Sequence, residues 1–340
     1  MLEDLKSPRG LTPLGNGSVL VSEVLGGRLL ELALNGDMNV VQEGLPATLG
    51  GPGGNYPTGV SAAIFVESAY YYVVGEFRGS RYSALYQLAP GAAPELLAGG
   101  TNRDGFPATR LTNPYDLAPA PEGGFLVSDA GANAVLHVSP DGAVSDYATF
   151  PRRELSTQEG DLTFDVVPTG LAIGPDGALY LASFTGFPYP QKAADVYRLE
   201  DLNGNGDAMD SGEVTVYAQG FSTATDLAFD EDGSLLVTEF SADLAGLIKG
   251  PGIEQAEQIP GRLVRWNEGT LEVVADGLVS PTGVAVLGGR ILVSEEFAGR
   301  VREVLTPAPG VNLDWTLSLL VGVIAAAIGF LGATWWRRRR

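Results

Sequence analysis

Val167-Pro168-Thr169-Gly170-Leu171 is one of six versions of a single phrase. The others are Ser7-Pro8-Arg9-Gly10-Leu11, Tyr56-Pro57-Thr58-Gly59-Val60, Asn113-Pro114-Tyr115-Asp116-Leu117, Ala224-Thr225-Asp226-Leu227 and Ser280-Pro281-Thr282-Gly283-Val284. Counted at the Gly or Asp anchor, the steps are 49, 57, 54, 56 and 57 residues. Periods of this size belong to blades, solenoids or arrays.

Each anchor opens a short apolar run, and a Gly-rich turn follows, as in Pro175-Asp-Gly177 or Glu231-Asp-Gly233. Such turns between apolar runs signal hairpins, because they need positive φ. The next run is apolar on both faces, as in Phe125-Leu-Val-Ser128 and Ile291-Leu-Val-Ser294, which suits a strand buried on both sides. A third run alternates, as in Arg28-Leu-Leu-Glu-Leu32, the mark of a half-exposed strand. A fourth segment, such as Val214-Thr-Val-Tyr217, leads to the next anchor. Four antiparallel strands repeated six times predict an all-β protein, a six-bladed β-propeller. The turns of a linear solenoid are typically parallel and shorter.

The last repeat stops after Arg300 to Leu305. Leu5 to Pro8 aligns with Leu278 to Pro281, so the residues matching Leu271 to Val274 would precede Met1. The expectation is a propeller over 1–305 whose closing strand is incomplete at the N-terminus.

Residues 306–314 read as a Pro/Gly linker. Trp315 to Trp336 is an uncharged apolar stretch of 22 residues, long enough for a hydrocarbon core of about 30 Å. Tryptophans at both ends match the aromatic belts of a membrane. Arg337 to Arg340 form a basic tail, which the positive-inside rule keeps in the cytoplasm. These features predict a single-pass membrane protein with the propeller outside the cytoplasm. Linker, span and arginines also resemble a bacterial sorting signal, but no Leu-Pro-x-Thr-Gly pentapeptide precedes the span. Met1-Leu-Glu-Asp has neither the basic start nor the apolar run of an export signal, so a start upstream is expected.

The formal net charge is −20. Such a surface repels nucleic acid and anionic lipid. There is no cysteine, which excludes disulfides and thiolate metal sites.

The motif richest in chemistry runs from Asp201 to Glu213. Asp201, Asn203, Asn205 and Asp207 bring oxygens at alternate positions, Gly206 stands sixth, and Asp210 and Glu213 follow. That order resembles an EF-hand calcium loop. The closing Glu falls at the thirteenth position and the flanks are strands. The expectation is a structural calcium ion bracing a hairpin.

A carboxylate also recurs after the second strand, as Glu23, Glu76, Asp129, Glu239 and Glu295, with Ser183 breaking the series. Glu23 and Glu295 each precede an arginine by five residues, so hairpin salt bridges are expected in preference to a ring of ligands. Long insertions at 44–57, 99–113, 150–167, 184–195 and 240–261 emerge on one face of a propeller. Loops grouped on a rigid scaffold are the usual place for binding. They carry Tyr56, Arg103, Phe106, Arg110, Phe187, Tyr189 and Lys192, candidate contacts for a protein, glycan or small molecule. His137 is the only histidine and lies on a third strand, so no nucleophilic triad is supported.

Pro168-Thr-Gly-Leu-Ala172 with Gly174-Pro-Asp-Gly-Ala-Leu-Tyr180 resembles NHL-repeat and, more distantly, SMP-30/gluconolactonase-like propellers. Residues 5–306 look most like the ScyD/ScyE family of exported bacterial propellers. The resemblance implies six blades and an extracytoplasmic place, and no established reaction. The residues of the gluconolactonase metal site have no position-by-position match here. The expected function is non-catalytic binding or scaffolding, against a metal-dependent hydrolase or lactonase, or a structural envelope protein.

Overall fold

A computed structural model describes residues 2–50, 56–75, 83–100, 110–158, 160–249 and 260–305. The segments expected to form the linker, the membrane span and the basic tail lie outside these residues, as do Glu76, Arg103 and Phe106. Among the described residues no helix is long and apolar enough to cross a membrane.

Met1–Val304 is one compact unit, a six-bladed propeller of antiparallel sheets. Blade one comprises Pro8–Pro13, Ser18–Glu23, Arg28–Ala33 and Met38–Gln42. Blade three runs Pro114–Pro119, Phe125–Asp129, Ala134–Val138 and Val144–Thr149, and blade four Val166–Ile173, Leu179–Thr185, Ala194–Leu199 and Val214–Phe221. Blade five is Ala224–Phe229, Leu235–Glu239, Pro260–Asn267 and Thr270–Val279. Blade six has Pro281–Leu287, Arg290–Glu295 and Arg300–Val304. In its fourth place Leu2 bridges Val301, with Leu2 N donating to Val301 O at 2.9 Å and Val301 N to Leu2 O at 2.8 Å.

Blade two departs from the repeat. Its inner strand, Tyr56–Val66, is 11 residues long and pairs on its free edge with Ala47–Gly50. The other strands of this blade are Ala69–Gly75, Ala84–Leu88 and Glu95–Gly99. Val60 pairs with Val74 and Ala62 with Val73 across a bulge, as Pro114 pairs with Asp129 and Asp116 with Ser128, and Pro281 with Glu295 and Gly283 with Ser294. The residue equivalent to the Gly or Asp anchor of the other blades is therefore Ala62, and Ser61, whose Oγ donates to Pro114 O at 3.0 Å, is the residue before it. Pro57-Thr58-Gly59 imitates the repeat, but it belongs to the insertion that adds the extra strand. In the carboxylate series the same register puts Val74 in blade two's place.

The second strands are buried throughout, as in Ser18–Glu23 and Phe125–Asp129. Their two apolar faces are used on both sides, because the main core clusters lie between blades. Leu126 and Val135 of blade three pack with Leu179 and Leu181 of blade four, and Leu11 and Val21 of blade one with Leu292 and Val301 of blade six. Outer strands are far more open, with Met38, Val40 and Val273 exposed. Two insertions carry structure of their own, the hairpin Arg153–Thr157 with Gly160–Phe164 and the helix Leu244–Lys249.

Candidate functional site

The inner strands meet around the axis, and each is tied to the next. The residue before the anchor is Thr169, Thr225 or Thr282 in three blades. Thr169 Oγ1 donates to Ala224 O at 3.0 Å, Thr225 Oγ1 to Pro281 O at 2.9 Å, and Thr282 Oγ1 to Pro8 O at 3.4 Å. A threonine here staples neighbouring blades without filling the axis.

Blades one and three replace that threonine by Arg9 and Tyr115. Arg9 is buried, 4% exposed, and its Nη2 donates to Glu296 Oε1 at 2.6 Å and to Pro57 O at 3.1 Å. The guanidinium carbon lies 5.5 Å from the Tyr56 ring centroid and 5.8 Å from that of Tyr115, within reach of cation–π attraction. Burial works against the Arg9 charge, but Glu296 and the two tyrosines outweigh it and its pKa is raised. Burial raises the Glu296 carboxyl, and Arg9 pulls it back. Arg9 Nε, Tyr115 Oη and Glu296 Oε2 are buried with no hydrogen-bond partner among the described residues. Burial pushes the Tyr115 hydroxyl well up, Arg9 opposes the shift, and Asp226 is among the groups that add to it.

Blades three and five replace the anchor glycine by Asp116 and Asp226. Asp116 Oδ2 accepts from Leu171 N of the next blade at 2.7 Å and Oδ1 from Leu117 N at 2.8 Å. Asp226 repeats the arrangement with Val284 N and Leu227 N, both at 2.8 Å. Both carboxyls press on Gly170-Leu171 of blade four. A Cβ on Gly170 would stand 2.3 Å from Asp226 Oδ1, so glycine there is what lets them converge. Burial raises Asp116 to about 6 against two backbone amides that lower it. It raises Asp226 well above the usual carboxylate range, with Asp116 adding to the shift.

Arg9, Tyr115, Asp116 and Asp226 line an axial cavity of about 270 Å³. It runs from Arg9 and Tyr115, near the starts of the inner strands, to Pro13, Phe229 and Val286 near their ends. Apart from the charged and hydroxyl groups its wall is mostly apolar. A divalent cation does not fit this axis. A guanidinium already stands on it, and Glu296 is paired with that guanidinium. Among the described residues the only convergent trio of carboxylates lies elsewhere.

The recurrent carboxylates after the second strands are fully buried, and their oxygens are engaged. Glu23 accepts from Lys6 N at 2.7 Å and pairs with Arg28. Glu239 accepts from Ser222 N and pairs with Arg262, and Glu295 accepts from Val279 N and pairs with Arg300. Asp129 receives the backbone amides of Thr112, Asn113, Gly131 and Ala132. Each ties the segment entering its blade to the hairpin beyond the second strand. In blade four Ser183 Oγ bonds the backbone of Asp195, whose carboxylate pairs with Arg153 from the insertion hairpin. His137 is half-buried, and its Nε2 lies 2.9 Å from Gly123 O.

Of the insertion-face candidates, Tyr56 reaches the axial arginine, and burial pushes its hydroxyl up to about 12, with Arg9 opposing and Glu296 and Tyr189 adding to the shift. Tyr189 also packs edge-on against Phe184 and Phe187, and Phe187 is 73% exposed. Lys192 N donates to Ser222 Oγ at 3.1 Å. Arg110 pairs with Asp146 on the outermost strand of blade three, away from the axis.

In the loop between the third and fourth strands of blade four, Asp207, Asp210 and Glu213 each bring an oxygen within 4.8 Å of the others. Asp201 lies outside that trio. Its Oδ1 accepts from Gly204 N and Asn205 N, and its Oδ2 from Gly206 N. Asn203 and Asn205 both donate to Asp210 Oδ2. Ala208, fully buried, donates its N–H to Tyr147 O of blade three at 2.7 Å.

No family model matches the sequence, and no curated protein resembles it closely enough to register as a relative. Solved structures do. A gluconolactonase from Xanthomonas campestris superposes with a TM-score of 0.58 at 15% identity, covering 90% of this chain and 88% of that one. An aldose sugar dehydrogenase from Streptomyces coelicolor in its PQQ-bound form gives 0.54 at 16% identity, covering 92% and 93%. Virginiamycin B lyase from Staphylococcus aureus gives 0.50 at 14% identity, covering 90% and 84%. At these identities the likeness is one of fold.

The sequence reading missed Arg9, Tyr115, Asp116, Asp226 and Glu296. Four of them stood inside the quoted phrases, at the positions where blades depart from Thr-Gly. Departure from the repeat was the available signal. Glu296 follows Glu295 directly, and nothing in the sequence separates their roles.

Proposed function

We propose that this chain is a non-catalytic binding propeller, held at a membrane by residues 315–336 and facing away from the cytoplasm. The observation that carries the binding reading is the axial Arg9–Glu296 pair clamped by Tyr56 and Tyr115. A guanidinium neutralised by its own carboxylate occupies the place where a metal-dependent hydrolase needs free ligands. The polar atoms left over there are donors and acceptors suited to recognition. The insertions around that mouth give a partner its contact area. The ScyD/ScyE resemblance and the long apolar segment support the location.

In the same reading the Asp201–Glu213 loop holds one structural calcium ion. Asp207, Asp210 and Glu213 are its nearest ligands, and Asp201, Asn203 and Asn205 shape the turn. Calcium takes six to eight oxygens, more than the trio supplies.

The test is a turnover screen of the purified full chain against lactones and phosphoesters, with calcium, zinc and manganese, beside the Glu296→Gln variant. No turnover is expected. Metal-dependent turnover abolished by Glu296→Gln or Asp226→Asn would establish the hydrolase instead. Protease digestion of intact cells making the tagged protein from an extended start tests the placement. The propeller should be cut, and its protection would reverse the orientation.

A further inference from the structure

We propose that the axial cavity binds a small uncharged carboxamide carrying an aliphatic body, with its head between Arg9, Tyr115 and the Asp116–Asp226 pair. This rests on the reading of the chain as a binding propeller and names the class of ligand.

Four observations select the head. Arg9 is nine-tenths buried and lines the cavity, and its Nε–H has no partner among the described residues. Tyr115 Oη, also buried and unpartnered there, is close enough to both Arg9 and Asp226 for each to shift its pKa. It joins the two polar ends of one surface. The aspartates converge over Gly170-Leu171 and line the cavity, and with one amide on each oxygen they keep further lone pairs free. Burial pushes both carboxyls up, and Asp116 adds to the shift of Asp226.

A ligand head must therefore accept from Arg9 Nε–H at one end and donate to a carboxyl at the other. A carboxamide carries both functions on adjacent atoms. An alkylammonium only donates, and it would leave Arg9 facing a second cation. A carboxylate only accepts, and it would face the aspartates. A polyol is disfavoured by the rest of the wall, where Leu117, Leu171, Phe229 and Val286 offer hydroxyls no partner. The volume of about 270 Å³ equals about nine waters of liquid at ~30 Å³ each. That is room for an amide head and a chain of several carbons.

The experiment is ligand-observed NMR titration of the full chain in mild detergent with propionamide, valeramide and hexanamide. The matched alkylammonium ions and carboxylates are titrated beside them. Saturable amide binding is expected, tightening about fourfold per added methylene, with the charged series at least tenfold weaker. Tyr115→Phe, which keeps the ring over Arg9, should weaken every amide severalfold. Val286→Phe, at the apolar end, should remove the advantage of hexanamide over propionamide and leave propionamide unchanged. Preference for ammonium would overturn the amide assignment while leaving a binding propeller. Failure of all probes, or amide binding indifferent to both variants, would overturn it as well. Hydrolysis of the amides would instead overturn the non-catalytic reading on which it rests.

Discussion

Asp226 of blade five lies so close to Gly170 of blade four that a Cβ on the glycine would stand 2.3 Å from Asp226 Oδ1 and 2.5 Å from its Cα. The glycine at this anchor stands between two blades that carry aspartate there, Asp116 and Asp226, and its lack of a side chain makes room for Asp226.

Gly170→Ala should therefore destabilise the propeller although its fold needs no unusual dihedral there. The clash is with backbone as well as side chain, so the blades must part. Overpacking of this kind costs about 1–3 kcal/mol. Urea unfolding should show a lower midpoint, and an unchanged midpoint would mean that the inner strands shift freely.

Arg9→Leu leaves Glu296, 1% exposed, as a buried charge without its cation. Breaking such a pair costs about 3–5 kcal/mol. The double variant Arg9→Met, Glu296→Leu removes both charges and should recover most of the loss. A double variant as unstable as the single one would show that Arg9 acts through its bond to Pro57 O and its stacking on the tyrosines.

The raised carboxyls of Asp116 and Asp226 set a pH dependence. The folded state keeps protons that the unfolded chain has already released, so stability contributed by these groups falls as pH rises. For Asp116 the window lies between its ordinary value of 3.8 and about 6. Asp226 extends it upward. Asp226→Asn should flatten this decline, so variant minus wild-type stability grows as pH rises from 4 past 6. A difference independent of pH would mean that the pair is ionised throughout.

Calcium should stabilise the chelator-treated protein by about 2.7 kcal/mol at a hundredfold excess over its dissociation constant. Asp201→Ala with Asp207→Ala should abolish both this gain and the calorimetric binding signal. Equal binding by both proteins, or none by either, would show that the loop is not the site.

The architecture was readable because blades repeat and repeats show in sequence. The paired apolar faces of Phe125–Asp129 and its counterparts announce strands buried between neighbours. What misled was Pro57-Thr58-Gly59, which matches the phrase by composition. Only the pairing of Ala62 with Val73, beyond a bulge at Ser61, reveals that the true anchor is Ala62. The axial site was present in the sequence as exceptions. Arg9 and Glu296 are 287 residues apart, and no local pattern joins them. They meet because the ring brings the first blade against the last. Asp116 and Asp226 look like ordinary turn formers until the glycine between their blades is seen to make room for both.

Leu2 and Val301 make blade six a seam between the first and last segments of the propeller. The chain at Leu2 and the chain leaving after Val304 therefore stand on the same blade. A short peptide joining them would turn the propeller into a closed ring of chain that could be cut anew at any exposed hairpin, such as Asp176-Gly177 or Asp232-Gly233. The order of blades along the gene would then change while the axis, with Arg9 against Glu296, stayed the same.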